Sequence, residues 1–154
     1  EMGRVGLKAG KGWYRYEKGD RTPHVDPEVA AVIKQVAEEN NIKQKTFTDQ
    51  EILHRLLFGS INEFCKILEE KKALRASDLD VMWLHGFGFP RWRGGLMFWG
   101  DTIGAREIYN QIAVWHQRYG ARWKPSELLR HTAESGAKLK DIKVDVPMNP
   151  MPRA

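Results

Sequence analysis

Residues Ser77 to Asp101 read SDLDVMWLHGFGFPRWRGGLMFWGD, and this stretch decides how the chain folds. Leu79, Val81, Met82, Trp83 and Leu84 precede a turn containing Gly86, Gly88 and Pro90; a basic pair, a Gly94-Gly95 step and a second apolar group follow. Glycine tolerates positive φ and close backbone approach, whereas Pro90 fixes its own φ and pushes Phe89 out of the helical region. The combination predicts a sharp, tightly packed corner between two helices. Arg91 and Arg93 flank Trp92, and a guanidinium binds a carboxylate or phosphate in bidentate fashion while stacking on a ring. Two readings stand side by side: an anionic group, a ligand's included, held at the corner, or arginines that bind carbonyls and carboxylates of neighbouring helices.

Outward from the corner the chain is helical. On its near side Ser77 reads as the cap of a short helix, with Asp78 and Asp80 in the electropositive first turn. Further upstream, Thr48 and Glu51 match a capping box, and Phe47 is placed to staple onto Ile52. Leu53, Leu56, Leu57, Ile61, Phe64, Cys65 and Leu68 then give a wide apolar face on a helix about 35 Å long, the central pillar. Asn62 and Glu63 interrupt that face, either as half-exposed positions or as groups that orient a ligand. An earlier helix starts at the N-cap Asp26 with Pro27 and Glu28; Val29, Val32, Ile33 and Val36 share one face, and Asn40-Asn41 ends it. Beyond the corner, Leu96 to Trp99 pack inward, and Asp101 leads to Gly104. Ile108, Ile112, Trp115 and Tyr119 follow at helical spacing up to Gly120. Pro125 and Ser126 open a last helix, with Leu128, Leu129 and Ala133 inside and Gly136 at its end. From Lys138 onward, charged residues and Pro147, Pro150 and Pro152 predict a tail draped over the surface or frayed.

The N-terminal 24 residues are different in kind. Gly3, Gly6, Gly10, Gly12 and Gly19 are too closely spaced for a helix, each costing about 1 kcal/mol there relative to alanine. Trp13, Tyr14 and Tyr16 form a short β-like pattern with polar neighbours, and Trp13 is the expected anchor of this arm on the helical body. GLKAGKG is not a phosphate loop, because only three residues separate Gly6 from Gly10 and Gly12 follows Lys11. That loop needs four residues between its glycines and Ser or Thr after the lysine. GKGWYR and GFGFPR both lack the third glycine of a dinucleotide fingerprint.

Composition excludes several classes. The 154 residues are about one domain's worth, enough to bury roughly 70% of the unfolded surface in one core. Charged residues at 29% and hydrophobic ones at 42% are ordinary globular usage. The net charge of +5 is modest, and the bases are interleaved with acids, as in Glu69-Glu70-Lys71-Lys72, which favours a solvated helix face over a nucleic-acid stripe. No run of about eighteen apolar residues predicts a membrane helix. Cys65 is the single cysteine, so no internal disulfide forms and a reducing compartment is expected. The opening at Glu1, without a signal-peptide pattern, reads as a fragment of a longer protein.

No catalytic constellation emerges from the residues. His24, His54, His85, His116 and His131 include no pair at metal-binding helical spacing, and none of the serines sits in a nucleophile elbow. No catalytic, cofactor or metal residue is therefore assigned.

Two segments together resemble one family. GRVGLKAGKGWYRYEKG (3–19) is similar to the G-x-K-x-G-x-G-F/W-Y-x-Y signature of the 3-hydroxyacyl-CoA dehydrogenases, through Gly6, Lys8, Gly10, Gly12, Trp13, Tyr14 and Tyr16. SINEFCKILEE (60–70) with DLDVMWLHGFGFPRWRGGLMFWGDTIG (78–104) resembles the second C-terminal helical repeat of multifunctional fatty-acid β-oxidation enzymes, Pro90, Arg93, Gly94 and Gly95 among its motif residues. The resemblance covers about residues 3–137. It implies a compact all-α domain with an extended glycine-aromatic arm, from an enzyme that oxidises 3-hydroxyacyl-CoA with NAD. It also implies that the dinucleotide fold and the proton-abstracting His-Glu pair lie upstream, so that this chain binds no cofactor by itself. Aligning the repeats puts His54-Arg55 where the first repeat has a catalytic-site Asn-Arg step, so the asparagine is absent and His54 is not promoted to the base. Larger family members carry an enoyl-CoA hydratase domain further upstream.

With the resemblance, the sequence divides into an arm at 1–24, which would be the end of the preceding repeat, a helical C-terminal dehydrogenase repeat at 25–137 and a tail at 138–154. Its expected task is to support the catalytic cleft and an interface with the upstream dehydrogenase domains, which would bind NAD and acyl-CoA. The wide apolar face of the long helix predicts a homodimer. A stand-alone helical interaction module is the alternative, and neither nucleic acid nor membrane is an expected partner. The ending Met-Pro-Arg-Ala lacks an S-K-L-type address, and the compartment expected is cytoplasmic, with an organelle left open.

Overall fold

Asp26 and Thr48 start the two helices that the sequence marks most strongly. Asp26 accepts from the amide of Glu28 at 3.1 Å and places Pro27 at the first position of α1 (Pro27–Glu39). Thr48 accepts from the Glu51 amide at 3.2 Å while the Glu51 carboxylate accepts from the Thr48 amide at 3.0 Å, a reciprocal box that opens α2 (Asp49–Glu69). The computed structural model describes residues 3–43 and 45–145. Expectations for 146–154, with the three prolines and the Met-Pro-Arg-Ala ending, lie outside the described residues.

The chain forms two units, Glu1–Thr46 and Phe47–Ala154. α1 therefore belongs with the arm, not with the following helices as the division at 24/25 had it. In the first unit a 3-10 turn at Leu7–Ala9 and the single bridges Gly6 to Lys11, Lys11 to Arg15 and Arg15 to His24 precede α1. The β-like pattern is thus a set of isolated bridges. Among this unit's described residues the only buried one is Asp26.

The second unit is helical throughout: α2, α3 (Ala76–Gly86), α4 (Leu96–Ile103), α5 (Ala105–Tyr119) and α6 (Glu127–Ser135), with 3-10 turns at Arg91–Arg93, Ala121–Trp123 and Leu139–Asp141. The predicted all-α class holds. Phe58, Ile61, Phe64, Cys65 and Leu68 on the second half of α2 meet Leu79, Leu96, Met97, Ile108, Ile112, Leu129 and Leu139 in one core. At about 1.5 Å per residue α2 is about 31 Å long, and its buried residues begin at Phe58. Ile52, Leu53 and Leu56 stay 46%, 53% and 63% exposed. Of the wide apolar face from which a homodimer was expected, Ile61, Phe64 and Leu68 lie in the unit's own core.

Three further local readings change. α3 begins at Ala76 without a side-chain cap, because the Ala76 amide donates instead to the carbonyl of Ile142 at 3.0 Å. Ser77 therefore lies inside the helix. The segment read as a tail from 138 is packed as far as the chain is described: Leu139 is fully buried, Arg75 bridges Lys143, and the Val144 amide donates to Leu74 O at 2.8 Å. One apolar side chain, which a composition scan does not weigh, seals the core there. Finally, Phe98 is 46% exposed while Leu96 and Met97 are buried, so α4 turns only part of its apolar start inward.

Candidate functional site

The corner is built on Asp80. Its carboxylate accepts from the amides of Met97 at 2.7 Å and Phe98 at 3.1 Å, so it caps α4 from the preceding helix. The residue is only 6% exposed, and burial pushes its carboxyl above the ordinary range while those backbone donors pull it down. Gly95, at φ 112°, lets the two helices meet: a Cβ there would lie 2.3 Å from Asp80 Cγ. Gly94 is equally constrained, with a Cβ falling 2.8 Å from the Phe98 ring. Pro90 at φ −57° starts the Arg91–Arg93 turn, its carbonyl accepting from the Arg93 amide at 2.9 Å.

The reading in which the arginine pair binds carbonyls and carboxylates of neighbouring helices is not realised. Arg93 stacks on Trp92 at 4.4 Å, Trp92 is 80% exposed, and neither guanidinium has a carbonyl or carboxylate partner among the described residues. An external anion would use the N-terminus of α4, where unpaired amides and the helix dipole attract negative charge. Asp80 already fills it.

A second polar node ties α2 to the start of α6. Asn62, 4% exposed, donates to Lys124 O at 3.0 Å and accepts from the Ser126 amide at 2.8 Å, and Ser126 Oγ then caps α6 at the Leu129 amide, 3.0 Å away. Asn62 is thus neither half-exposed nor turned to a ligand; Glu63 is exposed and pairs with Lys66 at 3.2 Å. Beside this node the Cys65 thiol is fully buried, and burial pushes it up to about 12. Near the first half of α2, Arg55 lies 5.1, 5.5 and 4.8 Å from the rings of Phe47, Trp115 and Tyr119 and donates to Tyr119 Oη at 3.0 Å. Phe47 therefore meets Arg55, a contact the staple reading did not foresee. His54 stacks on Phe58 at 4.4 Å, and no carboxylate pairs with it among the described residues. Among those residues no cluster of His, Cys, Asp or Glu is placed to hold a metal ion, and no helix is long and apolar enough to cross a membrane.

In the arm, the signature residues serve the backbone. Gly12 passes so near Gly6 that a Cβ on it would lie 2.9 Å from Gly6 Cα. The Gly6 amide donates to Lys11 O at 2.8 Å and that of Tyr16 to Gly10 O at 2.8 Å; Lys8 is exposed in the 3-10 turn. Arg4 clamps the arm to α1: Nη2 to Asp26 at 2.6 Å, Nη1 to Glu28 at 2.6 Å and Nε to Gly12 O at 3.1 Å. The Arg4 hydrogen bond, and next the Glu28 amide, hold the Asp26 carboxyl below its usual range. Trp13, expected as a docked anchor, is 75% exposed. It lines an open apolar groove of about 1040 Å³ with Val5, Tyr14, Tyr16, Val32, Ile33 and Val36. The arm's bridged turns are not the strand-turn-helix that holds a dinucleotide pyrophosphate.

Sequence reasoning missed Arg4, whose partners are 22 and 24 residues away with no local pattern between them. It also passed over Phe58, although its spacing of three and seven from Ile61 and Cys65 was legible.

Residues 52–142 match the family model of the 3-hydroxyacyl-CoA dehydrogenase C-terminal domain. The chain belongs to this family. The match spans the core of the second unit and leaves the first outside it. Among relatives, the peroxisomal fatty acid beta-oxidation multifunctional protein of Oryza sativa subsp. japonica is 42% identical over 143 residues, 90% of this chain and 20% of that protein. The peroxisomal bifunctional enzyme of Homo sapiens is 34% identical over 139 residues, 88% of this chain and 19% of that protein. The chain thus spans about a fifth of the length of the curated relatives it matches. The dehydrogenase part of multifunctional enzyme 1 from C. elegans shares the fold at a TM-score of 0.60 and 24% identity, over 83% of this chain and 30% of that one. As a family member, the chain has its glycine-aromatic arm and its FGFPRWRGG corner in separate units.

Proposed function

We propose that this chain is the C-terminal part of an NAD-dependent 3-hydroxyacyl-CoA dehydrogenase within a longer multifunctional β-oxidation protein, and that its own task is to support the catalytic cleft and an interface. The observation that carries the proposal is the family match over 52–142, on a unit whose buried polar side chains are spent on its own framework. Asp80 caps α4, Asn62 and Ser126 join α2 to α6, and Thr132 donates to Leu128 O at 2.7 Å. Such groups rigidify a scaffold and are not poised to move a proton. NAD, which accepts the hydride in this chemistry, and the acyl-CoA are assigned to domains upstream, as is any hydratase domain. The names of the relatives support a peroxisome-type organelle for the whole protein in place of the cytoplasm. The test is acyl-CoA-dependent NADH oxidation, with acetoacetyl-CoA as substrate. The reading frame expressed with its upstream coding sequence is expected to turn over, and the 154-residue chain is expected to be inert. Turnover by the short chain, or an upstream sequence without a dinucleotide-binding fold, overturns the reading.

Ile52, Leu53 and Leu56, exposed at the start of α2, favour a second role as a dimerisation surface. Sedimentation at about 100 μM tests it; a monomer there, unchanged by Leu53→Glu, removes that role.

A further inference from the structure

Two 3-10 turns among the described residues set an arginine beside a tryptophan, and the fold uses them differently. At Ala121–Trp123 the Trp123 indole packs on Trp115, with ring centroids 4.7 Å apart, and joins the rim of the core. At Arg91–Arg93 the Trp92 indole is 80% exposed, and its ring contact among the described residues is the Arg93 guanidinium, 4.4 Å from the centroid. Its other face is open. A second cation sits the same way next door: Lys140 Nζ lies 5.5 Å from the Phe98 ring, the ring that a Cβ on Gly94 would strike. Arg91 is exposed at the head of the turn. Among the described residues none of these three side chains has a carboxylate or carbonyl partner. The nearby acids are committed elsewhere: Asp80 to the amides of Met97 and Phe98, Asp101 to those of Leu139 and Lys140, and Asp78 to Arg75. Pro90 at φ −57° and Gly94 at φ 73° fix the turn, so the unspent donors and the open ring face are held in place before anything binds.

We propose that this corner binds a phosphorylated adenosine: Arg91, Arg93 and Lys140 take a terminal phosphate, and the purine lies on the open face of Trp92. The N-terminus of α4, the other place for an anion here, is filled by Asp80, so the side chains carry the site. A guanidinium takes two oxygens of a terminal phosphate in its fork, and a purine stacks on an indole whatever its edge groups are. A partner's carboxylate is the poorer fit, because an exposed arginine–carboxylate pair contributes little in water and leaves the indole unused. A second copy fits worse, since a two-fold contact at this corner would set the same cations against each other. For its natural source the site rests on the proposed function: the thioester substrate of that reaction carries a 3′-phosphorylated adenosine at the end remote from its acyl group. A free adenine nucleotide offers the same chemistry. NAD, whose phosphates are both internal, does not.

The test is titration of the 154-residue chain, followed by calorimetry and by the indole N–H signal of Trp92, which is assigned by its loss in Trp92→Phe. The probes are adenosine 3′,5′-bisphosphate, coenzyme A, ADP, NAD and pyrophosphate. In about 50 mM salt the bisphosphate is expected to bind with a Kd below about 1 mM and to shift the Trp92 signal. Arg91→Gln and Arg93→Gln are each expected to weaken it at least about fivefold, while Arg122→Gln, beside the core-packed Trp123, leaves it unchanged. Trp92→Leu is expected to bring the bisphosphate down to the level of pyrophosphate, and Trp92→Phe to keep part of the difference. All of these variants should melt with the parent chain, because the side chains removed are exposed or hold no polar partner. Tighter binding of coenzyme A than of ADP names the thioester as the source, and the reverse order names a free nucleotide; either supports the site. No saturable binding below about 5 mM overturns it. So does NAD binding as tightly as coenzyme A, pyrophosphate binding as tightly as the bisphosphate, or binding that survives both arginine changes together. Anionic phospholipid vesicles that hold the chain through Arg91 and Arg93 and are not displaced by the bisphosphate would make this a membrane surface and equally overturn it. Binding is read on the short chain, so a longer protein without turnover leaves the site standing, and turnover with no binding here refutes the site alone.

Discussion

Replacing Asp80 by alanine removes the carboxylate that joins α3 to α4. The Met97 amide, 2.7 Å from Asp80 Oδ1, belongs to a fully buried residue and would keep no acceptor. An unsatisfied buried donor costs about 1–3 kcal/mol and a lost helix cap about 0.5–2 kcal/mol. The two overlap in the same hydrogen bonds, so the expected loss is about 2–3 kcal/mol in urea melts of the 154-residue chain, followed by helical circular dichroism. Asp80→Asn keeps one acceptor oxygen and is expected to lose less than about 1.5 kcal/mol. Gly95→Ala attacks the same joint from the other side, placing a methyl 2.3 Å from Asp80 Cγ at a φ of 112°, and is expected to cost at least as much as Asp80→Ala. The pH dependence has a defined sign. Because burial raises the folded-state pKa of Asp80, its linked contribution is full below the ordinary carboxylate range and is lost as pH rises through the folded value. Asn has no such term, so the stability gap between the parent chain and Asp80→Asn should narrow as pH rises across that window. An Asp80→Ala melt within about 0.5 kcal/mol of the parent would refute the cap.

Other outcomes are expected elsewhere. Asn62→Ala breaks both bonds to the Lys124–Ser126 turn and should cost about 1–3 kcal/mol by the same melts; no change would mean that the turn is held by apolar packing alone. Cys65, fully buried with its thiol pushed up to about 12, should resist iodoacetamide at pH 8 until the chain is unfolded in urea, and rapid native alkylation would contradict its burial. In the first unit, the Asp26 carboxyl lies below its usual range, so its contribution is present above that range and is lost as pH falls through the folded value. Arg4→Gln should remove this acid sensitivity from amide exchange at the start of α1, and an unchanged pH profile would show that the clamp does not hold that helix end.

Local chemistry made most of the helices legible. The capping box of Thr48 and Glu51 and Asp26 ahead of Pro27 are interactions within four residues, and each stands where the pattern placed it; Pro125 and Ser126 marked the start of the last helix, and the structure makes Ser126 its cap. The family was legible as well, because the FGFPRWRGG corner and the glycine-aromatic arm are contiguous strings. The roles of single polar residues were not. Asp80 looked like a first-turn acid of its own helix, and only the fold brings it against Met97, seventeen residues away. Asn62 finds its partners 62 and 64 residues on, and Leu139 seals the core from a stretch whose composition reads as tail. Trp13 shows the converse: an aromatic predicts burial on average, yet the described residues of its own unit leave it exposed. Sequence by itself determined which segments become helices and what family they form, since caps and periodicity act over one or two turns. Tertiary structure alone decided which polar groups are buried, and in whose service, because the satisfaction of a buried donor or acceptor depends on partners that only folding brings within 3 Å.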